Sequence, residues 1–216
     1  MIVKVTGFDI YQFMADDVKD SWLKFLNPES LKQNLIRTSL YLTCWEMLKQ
    51  SVVDQPRDFF SMGWTDDGKQ GVSPTYQAEI LTLAKDPLIA SALWFRKSDA
   101  ISEDDISMLR KLRDHRNEIA HELPNFLGTI DAEVNMEFFN NIYYLVQKID
   151  KWWIQEFEIT TNPEFDNRQF TQEELDAVQS ARMIFMRLLI QVANGKEDDI
   201  RSLYEEMKKV AESKGK

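Results

Sequence analysis

At 216 residues, 44 % apolar and 29 % charged, the chain is long enough for one good-sized domain or two small ones with a true core. Its net charge of −10 excludes nucleic-acid binding through the overall field, so any RNA contact needs a locally basic patch. A single cysteine excludes an internal disulfide, and with only two histidines a zinc site of the usual kind cannot be built.

Seven glycines and six prolines punctuate the chain so sparsely that long helices are expected. Met1 to Tyr11 alternates weakly and reads as a short strand or an extended arm. Its apolar start is too short for a signal peptide, and Asp9, Asp16 and Asp17 follow soon after. No stretch approaches the ~18 apolar residues of a membrane span, so the expectation is a cytoplasmic protein with no membrane partner.

A helix is expected from Asp16 to Phe25, then a boundary at Asn27-Pro28. Glu29 to Val53 reads as one long helix with Leu31, Leu35, Leu42, Trp45 and Leu48 as its buried stripe. Cys44 lies within it and reads as a small core residue; a catalytic thiol would need a base, and neither histidine is near it in sequence. Gln55 to Tyr76 is the one long irregular stretch. Its Gly63 to Gln70 segment matches most of a phosphate-binding loop, but Gln70 stands where Ser or Thr should hold magnesium, and Asp66 and Asp67 would repel phosphate. It reads as a mobile turn.

Helices are expected again over Tyr76 to Lys85 and Leu88 to Lys97. Ser102 and Asp105 have capping-box spacing and open a helix running to about Leu123, where Pro124 disfavours continuation. A long aromatic-rich helix follows from about Ala132 to Glu158. Its Trp152 region reads as core packing, with a partner surface as the sharper alternative. Asn162-Pro163 breaks the chain. Thr171 to Asn194 reads as a helix with a Thr171/Glu174 capping box and a stop at Gly195, and Lys196 to Lys216 as a frayed terminal helix. The whole is expected to be an all-α single domain, 1–216, with a core of about 28–158 and a C-terminal helical extension of about 171–213.

The basic patch that the net charge demands lies in Arg110 to Glu122, RKLRDHRNEIAHE. Arg110, Lys111, Arg113 and Arg116 oppose only Asp114 in its first seven residues, and both histidines, His115 and His121, fall within it. On a helical wheel Met108, Leu109, Leu112, Ile119, Ala120 and Leu123 share one apolar arc. Arg116 points into that arc, so its guanidinium needs a partner or an opening. Asn117 and His121, four apart, are neighbours on one edge, whereas Arg116 and His121, five apart, do not stack. The plain structural alternative pairs Arg116 with a buried carboxylate, Asn117 with backbone and His121 with the helix C-terminus.

Arg116-Asn117-Glu118-Ile119-Ala120-His121 resembles the signature of the HEPN superfamily: arginine, a polar residue, three more positions, then histidine. The surrounding helix resembles abortive-infection and toxin-type members. The resemblance implies an HEPN-like bundle of long antiparallel helices and metal-independent RNA cleavage, with no cofactor, in which the RNA 2′-hydroxyl attacks its own phosphate. Arg116 would neutralise the phosphate through a bidentate fork. His121 would act as general base or acid, since imidazole as a group titrates near neutrality. Asn117 would orient His121 or the phosphate, and Arg110 and Arg113 would track the RNA backbone. A homodimer with facing motif helices would bring Arg116 and His121 of two subunits together, and an antitoxin protein is a further expected partner. Some toxin members carry a tyrosine soon after the histidine, where a partner enzyme modifies them; here Glu122, Leu123 and Pro124 follow, so that control is not expected. The rival expectation is a catalytically silent module that binds a nucleotide or a protein partner.

Overall fold

The computed structural model describes residues 15–61, 73–129, 132–165 and 168–214. Every regular element among them is helical, as the sparse punctuation predicts. The expected N-terminal arm and the Gly63 to Gln70 segment lie outside the described residues.

Helix α1 (Asp16–Leu26) is followed by α2 (Pro28–Lys49). Asn27 starts α2: its side-chain oxygen accepts from the backbone N–H groups of Glu29 and Ser30, with Pro28 in the first turn. The rod does not stop at Val53. A π-helical turn over Gln50–Asp54 leads into α3 (Gln55–Phe59). That turn lies just before Pro56, whose ring cannot sit under the carbonyl four residues back in a regular α-helix. A wider turn removes the clash, so a proline that reads as a breaker is carried through.

The stripe on α2 differs from the expected one. Its buried positions are Thr38, Tyr41, Cys44, Trp45 and Leu48, while Leu31 and Leu42 are half-buried and Leu35 is exposed. The first turns of α2 are met by polar contacts instead: Gln33 Nε2 and Arg37 Nε both donate to the Ala193 carbonyl at a distant helix end. An orphan C-terminal carbonyl is thereby satisfied by tertiary neighbours.

A short helix, α4 (Pro74–Tyr76), continues as a π turn to Leu81, earlier than the expected Lys85. Then come α5 (Pro87–Lys97), capped by the Asp86 side chain, and α6 (Glu103–His121), opened by the full Ser102/Asp105 capping box. After α7 (Leu123–Gly128), helix α8 (Met136–Trp153) starts at the Asn135 cap rather than at Ala132, and a π turn takes it to Glu158. A short α9 (Ile159–Thr161) ends at Asn162-Pro163.

The expected helix from Thr171 to Asn194 is two helices, α10 (Gln172–Ala177) and α11 (Ala181–Ala193). The Thr171/Glu174 capping box is present, but the chain breaks at Val178 and Ser180 caps α11. The break has a physical cause. Asp150 of α8 is only 4 % exposed, and the Ser180 hydroxyl donates to it at 2.5 Å. A buried carboxylate requires donors, and an uninterrupted helix would not present this one. Gly195, at φ +71°, ends α11 in the left-handed region that glycine enters without strain, and α12 (Asp198–Lys214) closes the chain.

The core lies between α2, α6, α8 and α11. Leu48, Leu112, Ile119, Phe139, Ile142 and Met186 are fully or almost fully buried in it. The C-terminal extension is therefore part of the packed body, because α11 sits on α2 and α8. Trp153 is buried and Trp152 half-buried, edge-on to Trp94, Phe95 and Phe157, so the aromatic region takes the core reading. Cys44 is buried as expected, and burial pushes its thiol up to about 12, which removes it as a nucleophile near neutral pH.

Candidate functional site

The sequence RKLRDHRNEIAHE falls wholly on α6 and the residue after it. Two anchors fix that helix. Asp105 is buried, and although burial alone would raise its pKa, hydrogen bonds from Lys148 and Ser102 hold the carboxyl below its ordinary value. Near the middle, the Tyr41 hydroxyl of α2 donates to the Leu112 carbonyl at 3.0 Å. The apolar face closes on Ile106, Leu109, Leu112 and Ile119; Ala120, assigned to the arc by the wheel, is exposed. It stands in the last turn of the helix, one residue from exposed His121.

Arg116 has both the partner and the opening that its position requires. Its Nη2 donates to Glu46 Oε1 of α2 at 3.3 Å and its Nη1 to Asn117 Oδ1 at 3.2 Å. The side chain stays 35 % exposed, too open for a sealed core pair. Its Nε is enclosed with no acceptor among the described residues, so an incoming anion meets this guanidinium through its Nη groups.

These groups face a groove of about 310 Å³ between the end of α2, the start of α5 and α6. Trp45, Val53, Pro87 and Leu88 give it an apolar lining. Lys49, Arg113, Arg116 and Asn117 supply the donors, set against Glu46 and Asp86. Three cations and two acids line the groove, and a third acid, Asp114, stands 3.7 Å from Arg113 outside the lining. Arg113 is ion-paired with Asp86, the carboxylate that also caps α5, and Lys49 lies 3.4 Å from Glu46.

The structure thus brings together Arg113, Arg116 and Asn117 of the expected residues. It does not bring in Arg110 or His121, which are exposed and outside the groove. Five residues of α-helix put His121 about 7.5 Å further along the axis and about 140° around it from Arg116. Within one chain the two do not meet. Lys49 and Glu46 are the residues that sequence reasoning missed. A Glu-x-x-Lys pair on an exposed helix face reads as ordinary surface, and only the placement of α2 beside α6 gives it a role.

His115 is spoken for. The Asn135 N–H donates to its Nε2 at 3.2 Å, which puts the ring proton on Nδ1, facing Glu118 at 3.3 Å. Tyr41, Phe138 and Phe126 surround the ring edge-on. Burial lowers its pKa against the opposing pull of Glu118. It holds α6 to α8 and the preceding loop and is no reserve base for the groove.

A larger cavity, about 630 Å³, opens beside α1 and the end of α7, lined by Asp17, Val18, Asp20, Trp22, Phe25 and Thr129 among others. Its described lining has two acids and no basic side chain, so it does not suit a phosphate.

Fold and groove together define an all-helical protein with an open, cation-lined groove on the flank of one helix, and no helix among its described residues is long and apolar enough to cross a membrane. Comparison with family models, with curated proteins and with solved structures gave no match.

Proposed function

We propose that the chain is a metal-independent endoribonuclease of HEPN type, working in the cytoplasm as a homodimer, in a defence or toxin-antitoxin setting. The observation that carries this reading is Arg116: a half-buried guanidinium beside Asn117, facing a groove open to solvent, on the helix that also bears an exposed His121. Arg116 and Arg113 engage the phosphate oxygens, and Asn117 holds the Arg116 fork in line. His121 of a second subunit takes the proton from the ribose 2′-hydroxyl as its oxygen bonds to phosphorus. The bond to the 5′-oxygen breaks, that oxygen takes a proton from water, and a cyclic phosphate end remains. Arg110, on the exposed side of α6, follows the strand beyond the groove.

Two alanine variants test it on mixed cellular RNA. Arg116→Ala and His121→Ala are each expected to lose at least about 100-fold in cleavage rate with unchanged unfolding curves. Wild-type protein that leaves every RNA intact ends the proposal. Mixing the two inactive variants tests the shared site. In a heterodimer one site regains both residues, so an equal mixture recovers about a quarter of wild-type activity. No recovery from mixed dimers, with wild type active, removes the contribution across subunits.

A second reading has its own observation. Glu46 already neutralises Arg116, and His121 lies outside the groove. Both suit a catalytically silent module whose groove holds a phosphate-bearing ligand or a protein partner such as an antitoxin. Wild-type binding of RNA without cleavage selects that reading.

A further inference from the structure

The residues around Arg116 form an ordered chain of charges. Lys49 Nζ reaches Glu46 Oε2 at 3.4 Å, Glu46 Oε1 accepts from Arg116 at 3.3 Å, and Arg116 in turn donates to Asn117. Glu46 therefore stands between two cations, with one oxygen toward each. A carboxylate and a phosphate present the same planar pair of acceptors to a guanidinium. The only Arg116 donors open to an anion are its Nη groups, and one of these is the group on Glu46. A phosphate that bridges both Nη groups as a fork competes with Glu46 for Nη2.

We infer that Glu46 is a displaceable stand-in for the substrate phosphate, and that Lys49, released with it, becomes a phosphate ligand beside Arg116. Glu46 is 47 % exposed and Lys49 49 %, so both side chains can swing into water at small cost. Asp86 stands in the same relation to Arg113, but its carboxylate also caps α5 and is tied to that helix. Of the two acids in the groove, Glu46 alone is free to leave. The consequence is a threshold. The groove disfavours weakly held anions, because each competes with the Lys49–Glu46–Arg116 contacts, and accepts a strand whose further phosphates hold it elsewhere on α6. The inference rests on the reading of the groove as an RNA site and does not require cleavage.

The test is binding of a short fluorescent single-stranded RNA by anisotropy, over a series of salt concentrations, with the full chain. Glu46→Gln keeps the shape and removes the charge; it is expected to tighten binding about fivefold. Lys49→Gln is expected to weaken it several-fold and to lower the salt slope by about 0.7, the value of one ion released from a single strand. Asp104→Asn, on the first turn of α6 far from the groove, makes the same change in net charge as Glu46→Gln and is expected to stay within twofold of wild type. Equal affinities for wild type and Glu46→Gln overturn the inference, as does an equal gain from Asp104→Asn. An unchanged salt slope in Lys49→Gln removes Lys49 from the site. Cleavage is scored separately: tighter RNA binding by Glu46→Gln with no product from any variant upholds the inference and overturns the ribonuclease.

Discussion

Two arginine–carboxylate pairs in this molecule have opposite fates. Arg182 of α11 meets Asp150 of α8 at 2.9 Å, with the carboxylate 4 % exposed. The Ser180 and Ser51 hydroxyls also donate to Asp150, and Arg182 reaches Gln55 and Ser51 as well. Arg116 meets Glu46 at 3.3 Å with both side chains a third or more in water, and one of its donors has no acceptor among the described residues. In the first pair the buried carboxylate accepts from Arg182, Ser180 and Ser51, and the contact joins helices distant in sequence. The second is loose, half-wet and underfilled. A carboxylate buried among several donors makes an ion pair a structural joint, whereas exposure of both partners leaves it exchangeable.

The strongest way to break this comparison is at the joint. Asp150→Ala leaves Arg182 partly buried without its carboxylate and is expected to destabilise the protein by about 3 to 5 kcal/mol in urea unfolding. A loss under about 1 kcal/mol would show that the joint is no more structural than the groove pair.

A smaller, pH-dependent loss is expected one residue before Arg116. Burial depresses the pKa of His115 in the folded state below its ordinary 6.5. The unfolded chain then binds the proton first, so stability is complete above about pH 6.5 and falls as pH drops through the folded-state value. Unfolding curves between pH 8 and 5 measure it, and His115→Phe should flatten the part of the slope that belongs to this ring. A slope of the opposite sign would mean that the Glu118 contact, and not burial, governs His115.

The smallest effect is expected at the groove. Glu46→Gln should change unfolding free energy by no more than about 1 kcal/mol, because an exposed pair contributes little. A destabilisation approaching that of Asp150→Ala would make the Arg116 pair a second joint and leave no room for exchange with a phosphate.

Much of the fold was legible because it depends on short-range chemistry. The Ser102/Asp105 and Thr171/Glu174 capping boxes, the Asn27-Pro28 and Asn162-Pro163 boundaries and the Gly195 stop each involve residues a few positions apart, and each is present. The readings that failed involve partners far along the chain. Helix 171–194 is split because Ser180 serves Asp150, thirty residues earlier. The rod of α2 and α3 passes Pro56 through a π turn whose Ser51 also serves Asp150.

The same division runs through the site. By itself the sequence determined that a basic stretch with both histidines lies on one helix, and that Arg116 on its apolar arc must find a partner or an opening, because a guanidinium keeps its charge wherever it is placed. Only the tertiary structure decided that both are provided, that Glu46 and Lys49 of α2 stand beside it, and that His121 faces away. Helical periodicity fixes which way a side chain points. What it meets there is set by how α2 and α5 pack against α6, and that packing includes contacts 70 and 71 residues apart, which no local pattern records.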